Sequence, residues 1–422
     1  MAGLVYQEPG FQRVALKKSA SMIKYCKFPQ NIFLALLLLL IFVLIDFVLL
    51  NGSVFRIRVR GPGDWTLAKL PNPPNRVEVI TAEDEREKQE TTINQDDELA
   101  RDVAAIPVTI EEDNYLSNES YFNMTVRMNI NSPTSAIPRV LTEPTELCDK
   151  DSTTASTHHP FLLMLVLSGY KDADADARRV IRETYGSVTR GNTWPGTRVS
   201  GSTALVFVLG EPPGADVSLT ATEQRQHGDL LIGDFVDTYR NLTLKVLFGL
   251  RWSFWQCART RFVLKVDQDV FVNVPLLVRF LQERGEYNSV YGFPSYGHKV
   301  QRRGKWKVTR TMYPFSRYPT YMSGSAYVLS MDAVGNIINA SNYFPPIPVE
   351  DAFFTGILSI ATGIRKISSP AFTFNMYTTD LCGLKYNKRF VTKVADKPTV
   401  WKLLRYKLSK VCSGPSRPPW PS

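Results

Sequence analysis

The chain has 422 residues and a formal net charge of +10 at pH 7. That length accommodates one large or two ordinary domains with a substantial apolar core, which excludes a small cystine-stapled scaffold. The surplus of Lys and Arg favours anionic ligands over cationic ones.

Residues 1–30 precede the run NIFLALLLLLIFVLIDFVLL (31–50), which is long enough to span a bilayer. It lacks a small-residue cleavage site, so it reads as an uncleaved signal-anchor. Asp46 within it would cost about 2.5–3.5 kcal/mol at mid-bilayer, which places it near an interface. Basic residues flank both ends, so orientation comes from other marks. The glycosylation sequons at Asn118, Asn123, Asn241 and Asn339 all follow the run, as does Asn51-Gly-Ser beside the membrane. Cys148, Cys257, Cys382 and Cys412 also follow it, while Cys26 precedes it. An even count of four is compatible with two disulfides in an oxidising lumen, with three pairings open. These marks predict a single-pass type II membrane protein with a cytosolic tail.

From 51 to 159 no hydrophobic period is sustained. Residues 51–157 hold 11 Lys/Arg against 19 Asp/Glu, a net of −8, and residues 1–50 hold 5 against 2, or +3. The remainder, 158–422, therefore carries 34 against 19, or +15, since −8 + 3 + 15 returns the +10 of the whole chain. The acidic segment 51–159 reads as a flexible luminal stem. A folded domain is predicted over 160–412, followed by a disordered tail, 413–422. The luminal address argues against nucleic acid as partner and leaves a nucleotide diphosphate or an acidic glycan.

Within that domain FLLMLVLS (161–168), ALVFVLG (204–210) and FVLKVD (262–267) are short, continuously apolar and rich in branched residues, as buried strands are. Between them ARRVIRETYG and NLTLKVLFGLRWSFWQC carry helical spacing, with Val246, Leu247, Leu250 and Phe254 on one stripe. This alternation predicts an α/β domain with a mostly parallel sheet and helices on both faces. Ligands then bind at the carboxyl ends of the strands. Asp267 lies at such an end. In extended geometry Asp267 and Asp269 point the same way and Gln268 the other. Hard oxygen ligands of this kind suit Mn²⁺ or Mg²⁺ bridging a diphosphate; alternatively, both acids end a strand and face water in a turn.

Five segments occur in a fixed order: RRVIRETYG (178–186), HGDLLIGDFVDTYRNLTLKVL (227–247), KVDQDVFVN (265–273), KWKVTRTMYPFSRYPTYMSGSAYVLS (305–330) and VEDAFFTG (349–356). Together, from Phe161 to Lys366, they resemble the Golgi β-1,3-glycosyltransferases that transfer galactose or N-acetylglucosamine. The resemblance implies a nucleotide-sugar-binding GT-A (Rossmann-like) domain in a Golgi membrane protein. It further implies inverting, metal-dependent transfer from a UDP-sugar to a glycan on protein or lipid, with UDP-galactose favoured and UDP-N-acetylglucosamine as the alternative donor.

Residue by residue, the resemblance assigns Asp269 to the metal and Asp267 to the metal's surroundings or the donor ribose. Gln268 stands where the family often has a third acid. Asp351 matches the general base and Glu350 the acid beside it, although acids in a first helical turn also cap amides. Arg178, Arg182 and Lys245 fall on the donor side, arginine being suited to oxyanions; Arg179 reads as an exposed helix residue. Trp306 and Tyr321 offer flat faces to an acceptor sugar, as does Tyr318, and Gly324 permits a tight turn or close approach of sugar to backbone. Met322 replaces the family's small residue or cysteine, a change that bears on acceptor fit. His227 and His298 have no metal spacing, and no histidine follows His298. Gln268 and Met322 also support a second reading, a non-catalytic glycan-binding protein on the same fold. A metal-dependent hydrolase ranks last, because no P-loop, histidine pair or G-x-S-x-G elbow is present.

Overall fold

The computed structural model describes residues 97–111, 138–145, 147–148, 159–191, 194–195, 197–372, 380–394 and 396–405. All lie within one compact unit, Val79–Ser422. The tail 1–30, the apolar run 31–50, Asn51, Asn118, Asn123, Cys26, Cys412 and the 413–422 tail fall outside the described residues. Among the described residues no helix is long and apolar enough to cross a membrane.

The centre is a nine-stranded sheet. Its strands in chain order are β1 (Thr109–Glu111), β2 (Val140–Thr142), β3 (Leu162–Leu167), β4 (Thr203–Gly210), β5 (Leu230–Gly233), β6 (Phe262–Asp267), β8 (Ser289–Ser295), β9 (Tyr321–Ser330) and β10 (Arg365–Ser368). A separate antiparallel pair joins β7 (Val270–Val272) to β11 (Val391–Lys393). Across the sheet the order is β1-β10-β8-β9-β6-β3-β4-β5-β2. The block β6-β3-β4-β5 is parallel, β10 is parallel to β8, and β9, β1 and β2 run the other way. The sheet is therefore mixed but mostly parallel, as its apolar strands predict.

The three strands read from the sequence form within a residue or two of their expected ends. β3 shows why a strand buried on both faces has no polar alternation. Leu162, Met164 and Val166 enter one core with Ile181, Leu277 and Phe280. Leu163, Leu165 and Leu167 enter the other with Val246, Leu250, Val334 and Ile337. Helices cover both faces accordingly. α1 (Asp172–Glu183) and α4 (Val274–Arg284) lie on the first, α3 (Leu242–Gln256) and α5 (Met331–Ser341) on the second, and α2 (Ser218–His227) links β4 to β5.

The stem reading needs correcting. A helical run over 97–104 buries Leu99, Val103 and Ile106 in the same core as β3 and β6. Arg284 donates to the carbonyls of Ile106 (2.7 Å) and Ala104 (3.2 Å) at its end. β1 and β2 then complete the two edges of the sheet. The spacing 99/103/106 is a helical stripe, hidden in the sequence by the acids around it. Cys148, also inside the presumed stem, bonds to Cys257 at the end of α3; Cys382 is disulfide-bonded as well.

The Cys148–Cys257 bond closes a loop with a sequence separation of 109 residues. Replacing both cysteines by alanine is expected to lower the unfolding free energy by about 2–5 kcal/mol, because the unlinked unfolded chain regains loop entropy. Thermal unfolding with and without reductant measures it; a variant as stable as the wild type would show the bond to be incidental.

Candidate functional site

The carboxyl ends of β3, β4 and β6 lie along one edge of the sheet, and three buried cations fix the tips of β3, β6 and β9 there. Each cation ties a main-chain carbonyl to a carboxylate. Arg178, on α1 and 1% exposed, donates to the carbonyl of Gly169 (2.7 Å), to Ser168 Oγ (3.0 Å) and to both oxygens of Glu223 (2.8 and 2.6 Å). Lys245, on α3, donates to the carbonyl of Ser168 (2.5 Å) and to Asp237 (2.6 Å). Burial lowers its ammonium, and Asp237 partly restores it. Lys265, on β6, donates to the carbonyl of Gly324 and to Asp267 (2.9 Å), and pairs with Glu350 (2.8 Å). Burial disfavours its charge, but Asp267 and Glu350 more than reverse that, so the ammonium is raised and stays charged.

After Asp267 the chain turns rather than continuing straight. Gln268 and Asp269 form the turn into β7, so the alternation expected for an extended Asp-Gln-Asp does not apply. Gln268 accepts from Ser168 Oγ (2.8 Å) and its amide donates to Asp174 (2.6 Å). A carboxylate at 268 would instead face Asp174. Asp269 pairs with Lys393 of β11 at 2.6 Å, and its carbonyl accepts from the Val394 amide (2.9 Å). The buried Lys397 lies near enough to Asp269 to feel its charge; burial nevertheless pushes its ammonium down to about 8. The cations that these two acids meet are thus lysines of the chain itself, Lys265 and Lys393.

The Asp267 and Asp269 side chains remain 41% and 48% exposed. Among the described residues no group of three His, Cys, Asp or Glu is arranged to hold a metal. Two half-exposed carboxylates are nevertheless a donor set that suits Mg²⁺ or Mn²⁺, which keep several waters and take further oxygens from phosphate.

Glu350 and Asp351 begin the turn that leads into a π-helical segment, Ala352–Leu358, buried throughout; such wide turns recur at functional sites. Thr355 on it accepts from the Met322 amide (2.8 Å) and donates to the Asp351 carbonyl (2.6 Å), which clamps this segment to β9. Asp351 accepts from its neighbour's amide at Ala352 (2.9 Å) and from the Gly324 amide (2.9 Å). It does cap the turn, and it is also part-exposed. Burial raises its carboxyl against the pull of those amides and of Lys265. Glu350 is 3% exposed and accepts from Tyr327 Oη (2.9 Å). Burial pushes its carboxyl up to about 7; Lys265 opposes this, while Asp351 and Asp267 add to it.

Gly324 is where these groups cross. A Cβ there would lie 2.9 Å from Glu350 Oε1 and 3.0 Å from Asp351 Oδ2. The close approach it permits in this structure is that of the two acids. Across the opening, Trp306 (50% exposed) donates its indole N–H to the Tyr239 hydroxyl. Tyr239 was missed in the sequence, where it is one aromatic in DTYRN. Burial raises its phenol, and the charges of Asp351, Glu350 and Asp267 reach it.

Several sequence assignments change. Arg178 and Arg182 are not open to an oxyanion ligand. Arg182 is 8% exposed, held by Asp229 (2.9 and 2.7 Å) and Glu223 (2.6 Å), and lies over the Phe207 ring. Lys245, placed on the donor side, is buried and paired with Asp237. Tyr321 is 7% exposed with its hydroxyl 3.0 Å from His298 Nδ1, so it offers no open face. Met322 is fully buried against Gly292. The Asn241 amide donates to the Val236 carbonyl (2.8 Å) and caps nothing, whereas Asn339 is exposed on α5. A separate cavity beside α3, lined by Arg240, Leu244, Leu247, Ile347 and Phe353, has no carboxylate in its wall and is not the centre of chemistry.

Residues 176–370 match a family model described as galactosyltransferase. The chain is similar to mouse beta-1,3-galactosyltransferase 5, with 36% identity over 202 residues covering 46% of this chain and 61% of that protein. Rat beta-1,3-galactosyltransferase 4 is 32% identical over 313 residues, 65% of this chain and 79% of that protein. Mouse beta-1,3-galactosyltransferase 1 is 31% identical over 228 residues, 53% and 67% respectively. The match thus spans less than two thirds of the first relative and more of the other two.

The environment of Glu350 sets a pH dependence. Burial pushes its folded carboxyl up to about 7, against an ordinary glutamate value of 4.5. The folded state therefore binds more protons than the unfolded one between those values, and stability contributed by this group falls as pH rises through that window. Relative to Glu350→Gln, the wild type is expected to lose up to roughly 3 kcal/mol between pH 5 and 8. Denaturant unfolding at both pH values measures it; parallel changes in the two proteins would contradict it.

Proposed function

Because the chain belongs to the galactosyltransferase family, we propose that it is a hexosyltransferase that moves galactose from UDP-galactose to a sugar hydroxyl in β-1,3 linkage. The observation that supports this most is the contrast between the two neighbouring acids. Glu350 is sealed under Lys265 and Tyr327, while Asp351, held by two amides, is part-exposed and close enough to Asp267 to feel its charge. A general base must reach its proton and hold a pKa near the working pH. Asp351 is part-exposed, and burial raises its carboxyl in that direction.

In this reading Asp351 takes the proton of the acceptor hydroxyl as that oxygen bonds to the anomeric carbon from the face opposite the leaving group. The bond to UDP breaks with inversion, and the negative charge leaves on the diphosphate. Glu350 does not touch the sugar; with Lys265 it sets the position of Asp351 and Asp267. Trp306 and Tyr239 present the flat faces on which an acceptor ring stacks. Asp267 and Asp269 would hold Mn²⁺ or Mg²⁺, with Lys393 released from Asp269. Such an ion supplies counter-charge to the departing diphosphate. The type II Golgi setting and an acceptor on protein or lipid belong to the same proposal.

The test is release of UDP and transfer of labelled galactose by the full-length protein in detergent. Asp351→Asn is expected to lower kcat by about 10²–10⁴ with little change in the KM for donor. Asp269→Asn and a chelator should both suppress turnover, the latter reversibly on adding Mn²⁺. Asp351→Asn at wild-type rate, or turnover indifferent to chelator, would refute the assigned roles.

A further inference from the structure

The segment between β8 and β9, residues 296–320, forms a strap over the acceptor side. From Lys299 to Arg317 it holds seven Lys/Arg and no Asp or Glu. Two of the seven are used inside it. Arg302 donates to the carbonyls of Val308 (3.0 Å), Tyr313 (2.9 Å) and Phe315 (2.5 Å), and Arg317 donates to that of Gly297 (2.5 Å). Main-chain bonds from Val300 to Ser316 and from Tyr318 to His298 close it, with Val308, Tyr313 and Tyr318 buried beneath. It is a folded unit whose buried side chains join the second core of the domain.

The other five cations, Lys299, Arg303, Lys305, Lys307 and Arg310, are exposed. No ion pair is recorded for any of them among the described residues, whereas Arg178, Arg182, Arg190, Arg279 and Arg365 each meet a carboxylate. Like charges this crowded repel one another, and a folded strap cannot spread them apart. Their place is not neutral either. Lys305 sits 4.2 Å above the Tyr239 ring and 5.6 Å from that of Trp306, so the charged strap reaches these two aromatic side chains.

We propose that this strap is an acceptor subsite for an anionic glycan, one carrying a carboxylate or sulfate close to the residue that receives the sugar. The proposal rests on the transferase reading and adds a substrate class to it. An anion within about 8 Å of the strap interacts with little screening at physiological salt. Arginine at 303 and 310 suits a bidentate hold on either group. A single-sign surface beside a cleft raises the local concentration of an oppositely charged substrate by tenfold or more.

The experiment uses aryl β-glycosides of galactose, N-acetylglucosamine and xylose, each extended identically with and without one uronate or one sulfate on the second residue. They are given to the full-length protein in detergent, as wild type and as the triple variant Arg303→Gln, Lys307→Gln, Arg310→Gln. The charged acceptor is expected to show a KM about tenfold lower than its neutral match, at similar kcat. That advantage should vanish in the variant and at high salt, while the KM for UDP-galactose and for neutral acceptors stays put. The uronate and sulfate arms separate the two sources of charge. Equal KM for charged and neutral acceptors would overturn the proposal while leaving the transferase reading intact. A raised KM for donor in the variant would also overturn it, by assigning the strap to the nucleotide. Should neither acceptor be turned over, fluorescence anisotropy of the same labelled pairs decides the strap separately: preferential binding of the charged probe, lost in the variant, sustains it, and equal binding defeats it.

Discussion

The site depends on three buried cations that bind main-chain carbonyls at strand tips. Arg178 holds Gly169, Lys245 holds Ser168 and Lys265 holds Gly324, each with at least one carboxylate on its remaining hydrogens. Removing an ammonium or guanidinium from water costs several kcal/mol, and only a nearly complete set of acceptors offsets it. The cost falls steeply on any displacement of the loops that supply those acceptors. The tips of β3, β6 and β9 are therefore held in one relative position before any ligand arrives, as a site stabilising developing charge requires.

Lys265 has the most consequence, because its partners come from three separate stretches of chain. Asp267 follows it on β6, Gly324 lies on β9, and Glu350 starts the turn into Ala352–Leu358. Glycine at 324 lets both acids close on the backbone, and Thr355 locks the same turn to β9 from behind. Two adjacent carboxyls thereby acquire different lives. Glu350 is sealed and titrates near 7; Asp351 stays part-exposed with two amides for support. Separating neighbouring acids by environment is how one fold assigns distinct roles to chemically similar groups. Asp269, by contrast, answers to β11 through Lys393, so a segment far from the five motifs in sequence bears on the turn that follows Asp267.

Much of this was legible in the sequence. Leu162–Leu167, Thr203–Gly210 and Phe262–Asp267 could be read because doubly buried strands are continuously apolar, and α3 because its stripe keeps a helical period. The motif segments placed Asp267, Glu350, Asp351 and Gly324 in one neighbourhood. Burial of charge was not legible. Arg178, Arg182 and Lys245 were placed on the donor side because sequence patterns treat cations as exposed; no pattern pairs them with Glu223, which lies outside the five segments, or with Asp229 and Asp237, which lie within 227–247. Met322 and Tyr321 were misread for the related reason that a strand's inward face is set by its neighbours, here Gly292, Thr355 and His298. The 97–111 stretch was lost to its acidic composition, which concealed Leu99, Val103 and Ile106.

Whether Lys265 holds Glu350 and the strand tips together is tested most directly by a stability comparison of Lys265→Met with Lys265→Met/Glu350→Gln. Removing the cation should cost about 3–5 kcal/mol by leaving a buried carboxylate uncompensated. Neutralising that carboxylate as well should recover at least about 1 kcal/mol of it. A Lys265→Met protein within about 0.5 kcal/mol of the wild type, or a double variant no better than the single, would mean that the two groups act independently and that the ion cluster does not hold the site.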